Sequence, residues 1–167
     1  GTIPSIRLFL PAASPLFVAY PLGMANIRTL IVEDHDFFRR TIALLLETEG
    51  RIEIVGAVAS GEEAIRLVHA LRLDVVLMDL NLPDISGLTA IEKIAPLDDA
   101  PAILVLTGAD DVESVLHSFA AGAQGYLLKE MVGEELLISA ILTVACGGIF
   151  LDAETFSLLK TTFPAPS

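Results

Sequence analysis

The amino-acid sequence predicts an α/β fold in which a parallel sheet is covered by helices on both faces. Short apolar runs alternate five times with longer segments whose apolar residues recur at helical spacing. Such strict alternation is typical of parallel strands that are joined by helical crossovers. The predicted strands are 29–32, 52–58, 75–78, 102–106 and 125–128, and the predicted helices are 37–49, 62–71, 87–95, 112–121 and 134–146.

The limits and the polarity of these segments predict how they are arranged. The first helix carries an apolar stripe and is followed by Gly50 as a stop signal, and the fifth is closed by Gly147 and Gly148. The first, third and fourth strands are almost wholly apolar, which favours the middle of the sheet. The second strand follows Arg51 and contains Glu53, and the fifth is short, so both are expected at the edges. With right-handed crossovers, this sorting gives the order 2-1-3-4-5 of the flavodoxin-like (βα)5 doubly wound sheet.

The composition argues against several classes of protein. Hydrophobic residues make up 53% and charged residues 19% of the 167 residues, which is enough apolar material for a full core. The formal net charge is −12, with 10 Lys and Arg against 22 Asp and Glu, so we expect no direct contact of this segment with nucleic acid. No apolar run is long enough to predict a membrane span. The single cysteine, Cys146, excludes an internal disulfide and favours a cytoplasmic location.

The two ends of the chain depart from the alternating pattern. Residues 1–23 contain four prolines, which interrupt the apolar centre that a signal peptide needs. We interpret them as a tag or a translated upstream stretch outside the domain, with Met24 as the natural start. The expected domain therefore comprises residues 24–148. We interpret residues 149–167 as the start of a linker to an output domain that is missing from this chain.

Acidic residues follow two strands that the predicted order makes neighbours. The first strand ends in Glu33 and Asp34, and the third is followed by Asp79. In doubly wound sheets, ligands bind at the carboxyl ends of the strands where the strand order reverses, which here lies between these two strands. Three close carboxylates repel one another, and their oxygens are suitable ligands for Mg²⁺. The alternative is that strand-end acids cap the following helices, a role that we expect of Asp36.

Two further polar residues end the remaining strands on the same side of the sheet. Thr107 ends the fourth strand and Lys129 follows the fifth. A hydroxyl and an ammonium group beside a cluster of carboxylates and Mg²⁺ can bind phosphoryl oxygens. Either residue alone could be an ordinary surface residue, but the combination predicts a phosphoryl site.

Four stretches of the sequence resemble the receiver domains of two-component response regulators. They are 30–35 (Leu-Ile-Val-Glu-Asp-His), 76–83 (Val-Leu-Met-Asp-Leu-Asn-Leu-Pro), 106–108 (Leu-Thr-Gly) and 125–129 (Gly-Tyr-Leu-Leu-Lys). The resemblance covers residues 27–148, and the joint motif is far more specific than any one part of it. Glu130 stands where many receivers have proline. This position, together with residues 120–123 and 147–151, is similar to the subfamily whose receivers are usually followed by a LuxR-type helix-turn-helix domain.

The resemblance implies roles for the acidic residues. Asp79 would be the phosphoacceptor that takes a phosphoryl group from a histidine kinase. Asp34 would bind Mg²⁺ directly, Glu33 would act through a water molecule, and Asn81 would provide its backbone carbonyl. Glu33 departs from the commoner aspartate, which keeps the charge and lengthens the side chain.

The resemblance also implies how the signal would be transmitted. Lys129 would pair with Asp79 before phosphorylation and with a phosphoryl oxygen afterwards, and Thr107 would bind another phosphoryl oxygen. Tyr126 would be the aromatic switch residue that follows Thr107; the alternative is an ordinary aromatic residue of an edge strand. The expected function is a phosphorylation-activated signalling switch that assists its own phosphorylation and dephosphorylation and is not otherwise an enzyme.

The output of this switch is expected to be a changed dimer or partner surface, which would regulate transcription through the missing domain. The predicted helix 134–146 is apolar around most of its circumference, so we expect a homodimer through it; the alternative is an apolar surface without a partner. A stand-alone or degenerate receiver that acts by protein–protein contact is the alternative function.

Two other classes of protein fit the sequence less well. A phosphatase of the haloacid dehalogenase type needs a second acid two residues after its nucleophile, where this chain has Asn81. A flavodoxin-like electron carrier needs a Ser, Thr and Gly loop after the first strand, where Glu33 and Asp34 would repel the FMN phosphate.

Overall fold

A computed structural model of the chain describes residues 6–9, 18–21 and 26–162. The helices are α1 (Asp36–Leu46), α2 (Gly61–Ala70), α3 (Gly87–Ile94), α4 (Val112–Ala121), α5 (Glu134–Ala145) and α6 (Ala153–Thr162). The strands are β1 (Ile6–Phe9), β2 (Val18–Pro21), β3 (Ile27–Val32), β4 (Ile52–Val58), β5 (Val75–Met78), β6 (Ala102–Thr107), β7 (Gly125–Leu128) and β8 (Phe150–Leu151). A short 3₁₀ helix, Lys129–Met131, follows β7.

Six parallel strands form the main sheet in the order β4-β3-β5-β6-β7-β8. The predicted order 2-1-3-4-5 is therefore confirmed for the five predicted strands, which are β3 to β7. The expectation that the fifth of them lies at an edge is wrong, because β8 pairs with β7 through Gly125–Phe150 and Tyr126–Leu151. A strand of two residues carries no periodicity, so the sequence pattern does not predict β8.

Both faces of the sheet are buried, as the apolar central strands predict. One face packs Leu30, Val76 and Val105 against α2, α3 and α4. The opposite face packs Ile31, Leu77 and Leu104 against α1 and α5. Because side chains of a strand alternate between faces, a strand that is covered on both sides is apolar at most of its positions. The carboxyl ends of the strands are the part of the sheet that can hold polar side chains.

Serine and aspartate side chains cap α2, α3 and α4. Ser60, Ser86 and Asp111 accept hydrogen bonds from the backbone N–H groups three residues later, at the start of α2, α3 and α4. The prediction that Asp36 caps the first helix is wrong. Asp36 is the first helical residue of α1, where it pairs with Arg39, and the preceding His35 occupies the cap position without a side-chain cap.

The two ends of the chain contain additional structure. β1 and β2 pair antiparallel, and β2 lies beside α5. Residues 1–5, 10–17, 22–25 and 163–167 lie outside the described residues, and Met24 is among them. At the other end, β8 extends the sheet and α6 packs beside α4 and β7. The interpretation of 1–23 as an extension and of 149–167 as the start of a linker stays a prediction, although 150–162 are folded against the domain.

The circumference of α5 is more buried than a surface helix requires. Leu137, Ala140, Ile141 and Val144 pack in the core, and Ser139 and Leu142 are buried as well. The sheet covers one side, and β2 lies near the helix. Among the described residues, no helix has the length and hydropathy that crossing a membrane requires.

Candidate functional site

The carboxyl ends of four strands bring the predicted site residues to one edge of the sheet. Glu33 and Asp34 follow β3, Asp79 follows β5, Thr107 ends β6 and Lys129 follows β7. Glu33 and Asp79 are only 1% and 2% exposed, and Thr107 is fully buried. The location is the point between β3 and β5 at which the strand order reverses, where doubly wound sheets bind ligands.

The ammonium group of Lys129 bridges the two buried carboxylates. Its Nζ lies 2.9 Å from Glu33 Oε2, 3.0 Å from Glu33 Oε1 and 3.2 Å from Asp79 Oδ2. The same Nζ lies 4.8 Å from the centre of the Phe38 ring, in the range of a cation–π contact. One cation thus holds two carboxylates that would otherwise repel each other.

The protonation equilibria of the site reflect this crowding. Burial raises the pKa of Asp79 and the negative charge of Glu33 raises it further, while Lys129 and the Asn81 N–H act in the opposite direction. The net pKa of Asp79 lies above its ordinary value. Burial by itself would lower the pKa of Lys129, but its hydrogen bond to Glu33 and the charges of both carboxylates outweigh burial and raise it. The cluster therefore carries excess negative charge that a further cation would relieve.

Asp34 supplies an observation that bears directly on a metal ion. Its Oδ1 is buried and lies 3.3 Å from His35 Nδ1, but it accepts no hydrogen bond from any residue that the structure describes. Buried carboxylate oxygens without a hydrogen bond are rare, because leaving them unsatisfied costs free energy. Glu33, Asp34, His35 and Asp79 can each offer a ligand atom within 4.8 Å of the others. The oxygens of the three acids fit a hard divalent cation such as Mg²⁺.

The start of α1 holds Glu33 from the other side. The backbone N–H of His35 donates to Glu33 Oε1 at 3.2 Å, and His35 Nδ1 lies 3.0 Å from the same oxygen. Arg39 donates from Nη1 to the backbone carbonyl of Glu33 at 2.7 Å. Sequence analysis assigned no site role to Phe38, His35 or Arg39. Their position in the first turn of a helix that follows the acid pair is the signal that could have identified them.

The loop after Asp79 is fixed by hydrogen bonds and by close packing. The Asn81 N–H donates to Asp79 Oδ1 at 3.3 Å. The Asp84 carboxylate accepts from the N–H groups of Gly61 and Glu62 at 2.9 and 2.8 Å, which ties the loop to the start of α2. Gly87 lies directly against the Asp79 backbone. The role of the Asn81 carbonyl as a metal ligand stays a prediction.

Thr107 and Tyr126 are joined through one residue, Ala109. The Ala109 N–H donates to Thr107 Oγ1 at 3.3 Å, and the Ala109 carbonyl accepts from the Tyr126 hydroxyl at 2.5 Å. Tyr126 is fully buried, on a strand with neighbours on both sides, so the alternative of an edge-strand aromatic does not apply. Burial raises the pKa of the Tyr126 phenol, which keeps it a hydrogen-bond donor at neutral pH. The loop between β6 and α4 is thus linked to both residues.

Comparison with known proteins identifies the family of this chain. A family model described as the response regulator receiver domain matches residues 29–141. The chain belongs to this family. It is 37% identical to the transcriptional regulatory protein DegU of Brevibacillus brevis over an alignment of 136 residues. This alignment covers 81% of this chain and 57% of DegU. It is also 37% identical to the oxygen regulatory protein NreC of Staphylococcus aureus over an alignment of 142 residues. This alignment covers 84% of this chain and 65% of NreC.

A solved structure supports the predicted subfamily of this receiver domain. The crystal structure of a two-component response regulator of the LuxR family from an Aurantimonas species matches with a TM-score of 0.76 and 29% identity. The match covers 83% of this chain and 99% of that one. The resemblance to LuxR-type regulators is thereby confirmed. The receiver domain spans about half the length of the first curated relatives, at 57%, 51% and 52% of their sequences.

Proposed function

We propose that this receiver domain is a phosphorylation-activated switch in which Asp79 accepts a phosphoryl group from a sensor histidine kinase in the presence of Mg²⁺. The observation that carries the proposal is the setting of Asp79. Its carboxylate is buried where the strand order reverses, beside two further acids and 3.2 Å from the Lys129 ammonium group. The proposed function is that of a phosphoacceptor that assists its own phosphorylation and dephosphorylation.

In the proposed transfer, one carboxylate oxygen of Asp79 attacks the phosphorus atom. The bond between phosphorus and the imidazole nitrogen of the kinase breaks, and its electron pair leaves with the imidazole. Lys129 pairs with a phosphoryl oxygen, and the Thr107 hydroxyl donates to another. Glu33, Asp34 and Asp79, with the Asn81 carbonyl, would hold Mg²⁺, which supplies positive charge to the transferred group.

The link through Ala109 supports a route from the phosphoryl group to the surface. A Thr107 hydroxyl that turns towards the phosphoryl group gives up its contact with the Ala109 N–H. The loop then moves, and with it the carbonyl that the Tyr126 hydroxyl contacts. Phosphorylation would thereby shift the population between two arrangements of the surface near α4.

The names of the relatives support a transcriptional output. DegU is called a transcriptional regulatory protein, and the part of it that this chain does not match would contain the output domain. The proposed homodimer through residues 134–146 would have to accommodate β2, which lies beside α5. A stand-alone or degenerate receiver that acts by protein–protein contact is the alternative function. The cytoplasmic location stays a prediction.

The direct test of the proposal is the intact mass after incubation with acetyl phosphate and Mg²⁺. We expect the wild type to gain the mass of one phosphoryl group, and we expect no gain with Asp79→Asn or when Mg²⁺ is chelated. A gain in the Asp79→Asn variant would place the acceptor elsewhere. A folded wild type that takes no phosphoryl group, from acetyl phosphate or from a histidine kinase, would favour the degenerate receiver.

The kinase should dock on the exposed apolar side chains of α1. Phe37 is 84% exposed in the first turn of α1, three residues after Asp34, and Leu44 is exposed two turns further along. Large exposed apolar residues beside a reaction site indicate a partner surface. We predict that Phe37→Asp slows phosphorylation by the cognate kinase by about tenfold or more. Phosphorylation by acetyl phosphate should stay unchanged, because this small donor needs no docking surface.

Phe156→Asp provides a matched control for this prediction. Phe156 is also exposed, at 53%, but it lies on α6. The control variant should react with the kinase as the wild type does. Equal loss with both phosphodonors in Phe37→Asp would show damage to the site itself and would contradict a docking role.

Tyr126→Phe should weaken the response to phosphorylation more than the reaction itself. The change removes the donor to the Ala109 carbonyl and should destabilise the domain by about 0.5–1.5 kcal/mol. Asp79 should still be phosphorylated, since Tyr126 has no contact with it. Hydrogen exchange of α4 should change less on phosphorylation than in the wild type. An unaltered exchange response would show that Tyr126 is only a core residue.

A further inference from the structure

A buried carboxylate outside the acidic cluster links the end of β7 to α6. Asp152 lies between β8 and α6 and is 3% exposed. Its Oδ2 accepts from the Leu128 N–H at 3.0 Å and from the Thr155 hydroxyl at 2.9 Å, and its Oδ1 accepts from the Thr155 N–H at 2.7 Å. Thr155 is fully buried and Leu128 is 1% exposed. One side chain thus satisfies donors from two separate elements.

Helix capping does not explain all three of these contacts. A cap residue needs one oxygen for the N–H three residues later, and Asp152 Oδ1 serves the Thr155 N–H in this way. Its other oxygen reaches the Leu128 N–H, which follows the last ladder pair of β7 and β8, Tyr126–Leu151. The side chain therefore continues the ladder beyond β8. Because Leu128 is buried, its N–H has no access to water if this contact is lost.

The residue that Asp152 anchors is the one that connects two groups of the phosphorylation site. Leu128 immediately precedes Lys129, whose ammonium bridges Glu33 and Asp79. On its other side, Leu128 is the ladder partner of Thr107. The end of β7 is thus held between Thr107 and Asp152. A shift of this backbone would displace Lys129 with respect to the phosphoryl group.

We propose that Asp152 is a positioning residue for the phosphorylation of Asp79, which acts through the Leu128 backbone on Lys129. This inference rests on the proposed function. Its physical basis is that rates of transfer depend steeply on the placement of the charged groups around the reacting atoms. The hydrogen bond between the Leu128 N–H and Asp152 also connects α6 to the site. A movement of Lys129 towards the phosphoryl group would therefore displace the Asp152 carboxylate. By linkage, the connection works in both directions.

Asp152→Ser separates positioning from helix capping. Serine is as good a cap as aspartate, but its shorter side chain cannot also reach the Leu128 N–H. We expect the maximal rate of phosphorylation by acetyl phosphate to fall about tenfold in this variant. The Mg²⁺ concentration that gives half of the maximal rate should not rise, because the oxygens of Glu33, Asp34 and Asp79 are unchanged. A general loosening of the site would raise it.

Thr155→Val is the matched control, because it keeps the N–H that is capped and the shape of the side chain. It removes only one donor to Asp152, and its maximal rate should stay within about twofold of the wild type. Rates are measured by intact mass, and folding is verified by circular dichroism. If Asp152→Ser is unfolded, Asp152→Asn, which keeps one oxygen acceptor, is judged by the same criteria.

The outcomes distinguish this inference from the proposed function. A wild type that takes a phosphoryl group, together with an Asp152→Ser variant that reacts at the same maximal rate, overturns the positioning role and leaves the proposed function intact. A tenfold loss that comes with a raised Mg²⁺ requirement also overturns it, since Asp152 is then only structural. A folded wild type without phosphorylation overturns both.

Discussion

Replacing Lys129 by alanine should destabilise the metal-free domain by about 1–3 kcal/mol at pH 7 and slow the phosphorylation of Asp79 by about a hundredfold. The ammonium group contacts both Glu33 and Asp79, whose carboxylates are almost completely buried. Without it, two negative charges face each other with little water to screen them. The loss of rate has a separate cause, because the transferred phosphoryl group also loses the cation that would pair with one of its oxygens.

The loss of stability should depend on pH in a defined direction. The pKa of Lys129 is raised in the folded state above its unfolded value of 10.5. The contribution of Lys129 to the free energy of unfolding is therefore fully present below pH 10.5, and it is lost as the pH rises through the higher pKa of the folded state. The pKa of Asp79 is raised above 3.8, so its carboxylate is protonated in the folded protein at a higher pH than in the unfolded chain. As the pH falls towards 3.8, the difference between variant and wild type should therefore shrink.

Urea unfolding at pH 4.5 and pH 7, with and without Mg²⁺, measures this dependence. Addition of Mg²⁺ at pH 7 should stabilise Lys129→Ala more than the wild type, since the divalent cation replaces the missing positive charge. Lys93→Ala is the matched control, because Lys93 is exposed on α3 and no contact of it with the acidic cluster is described. Equal stability of Lys129→Ala and the wild type at pH 7 would contradict the bridging role.

The arrangement of the site could be predicted because a parallel sheet places all carboxyl ends of its strands at one edge. Glu33, Asp79 and Lys129 are far apart in sequence, yet each follows an apolar strand whose neighbours the alternating pattern predicts. Their distances then depend mainly on strand order, which was predicted correctly for β3 to β7. The same reasoning extends to Thr107 at the end of β6.

Other parts of the site depend on the shape of loops and on register, for which the sequence carries little signal. The Ala109 link needs a loop that turns both its N–H and its carbonyl towards the core. Asp152 looks like a simple helix cap in the sequence, and its second contact exists only because β8 adds to the sheet. The error about Asp36 has a similar origin, since a shift of one residue at the start of α1 changes a cap into a helical residue.

Gly87→Ala should destabilise the domain by about 3 kcal/mol. This is the opposite of the usual effect, because alanine ordinarily stabilises a helix relative to glycine. A Cβ at Gly87 would lie 2.1 Å from the carbonyl oxygen of Asp79 and 2.7 Å from the Cα of Leu80. Both are backbone atoms of the segment that follows β5, so no side-chain rotation relieves the clash. The Gly87 N–H also donates to the Leu80 carbonyl at 2.9 Å, which holds α3 at this short distance.

Relief of this clash requires α3 to move away from the strand end or the Asp79 backbone to shift, and both changes act on Asp79, the proposed phosphoacceptor. Urea unfolding of Gly87→Ala should show the loss of stability, and the variant should be phosphorylated more slowly by acetyl phosphate. Gly50→Ala is the matched control, because a Cβ there meets no atom of the described residues within 4 Å. It should change the free energy of unfolding by less than about 1 kcal/mol. If Gly87→Ala is as stable as the control, α3 does not pack against Asp79 as closely as these distances indicate. The position of Asp79 must then be held by the hydrogen bonds of Asn81 and Asp84 instead.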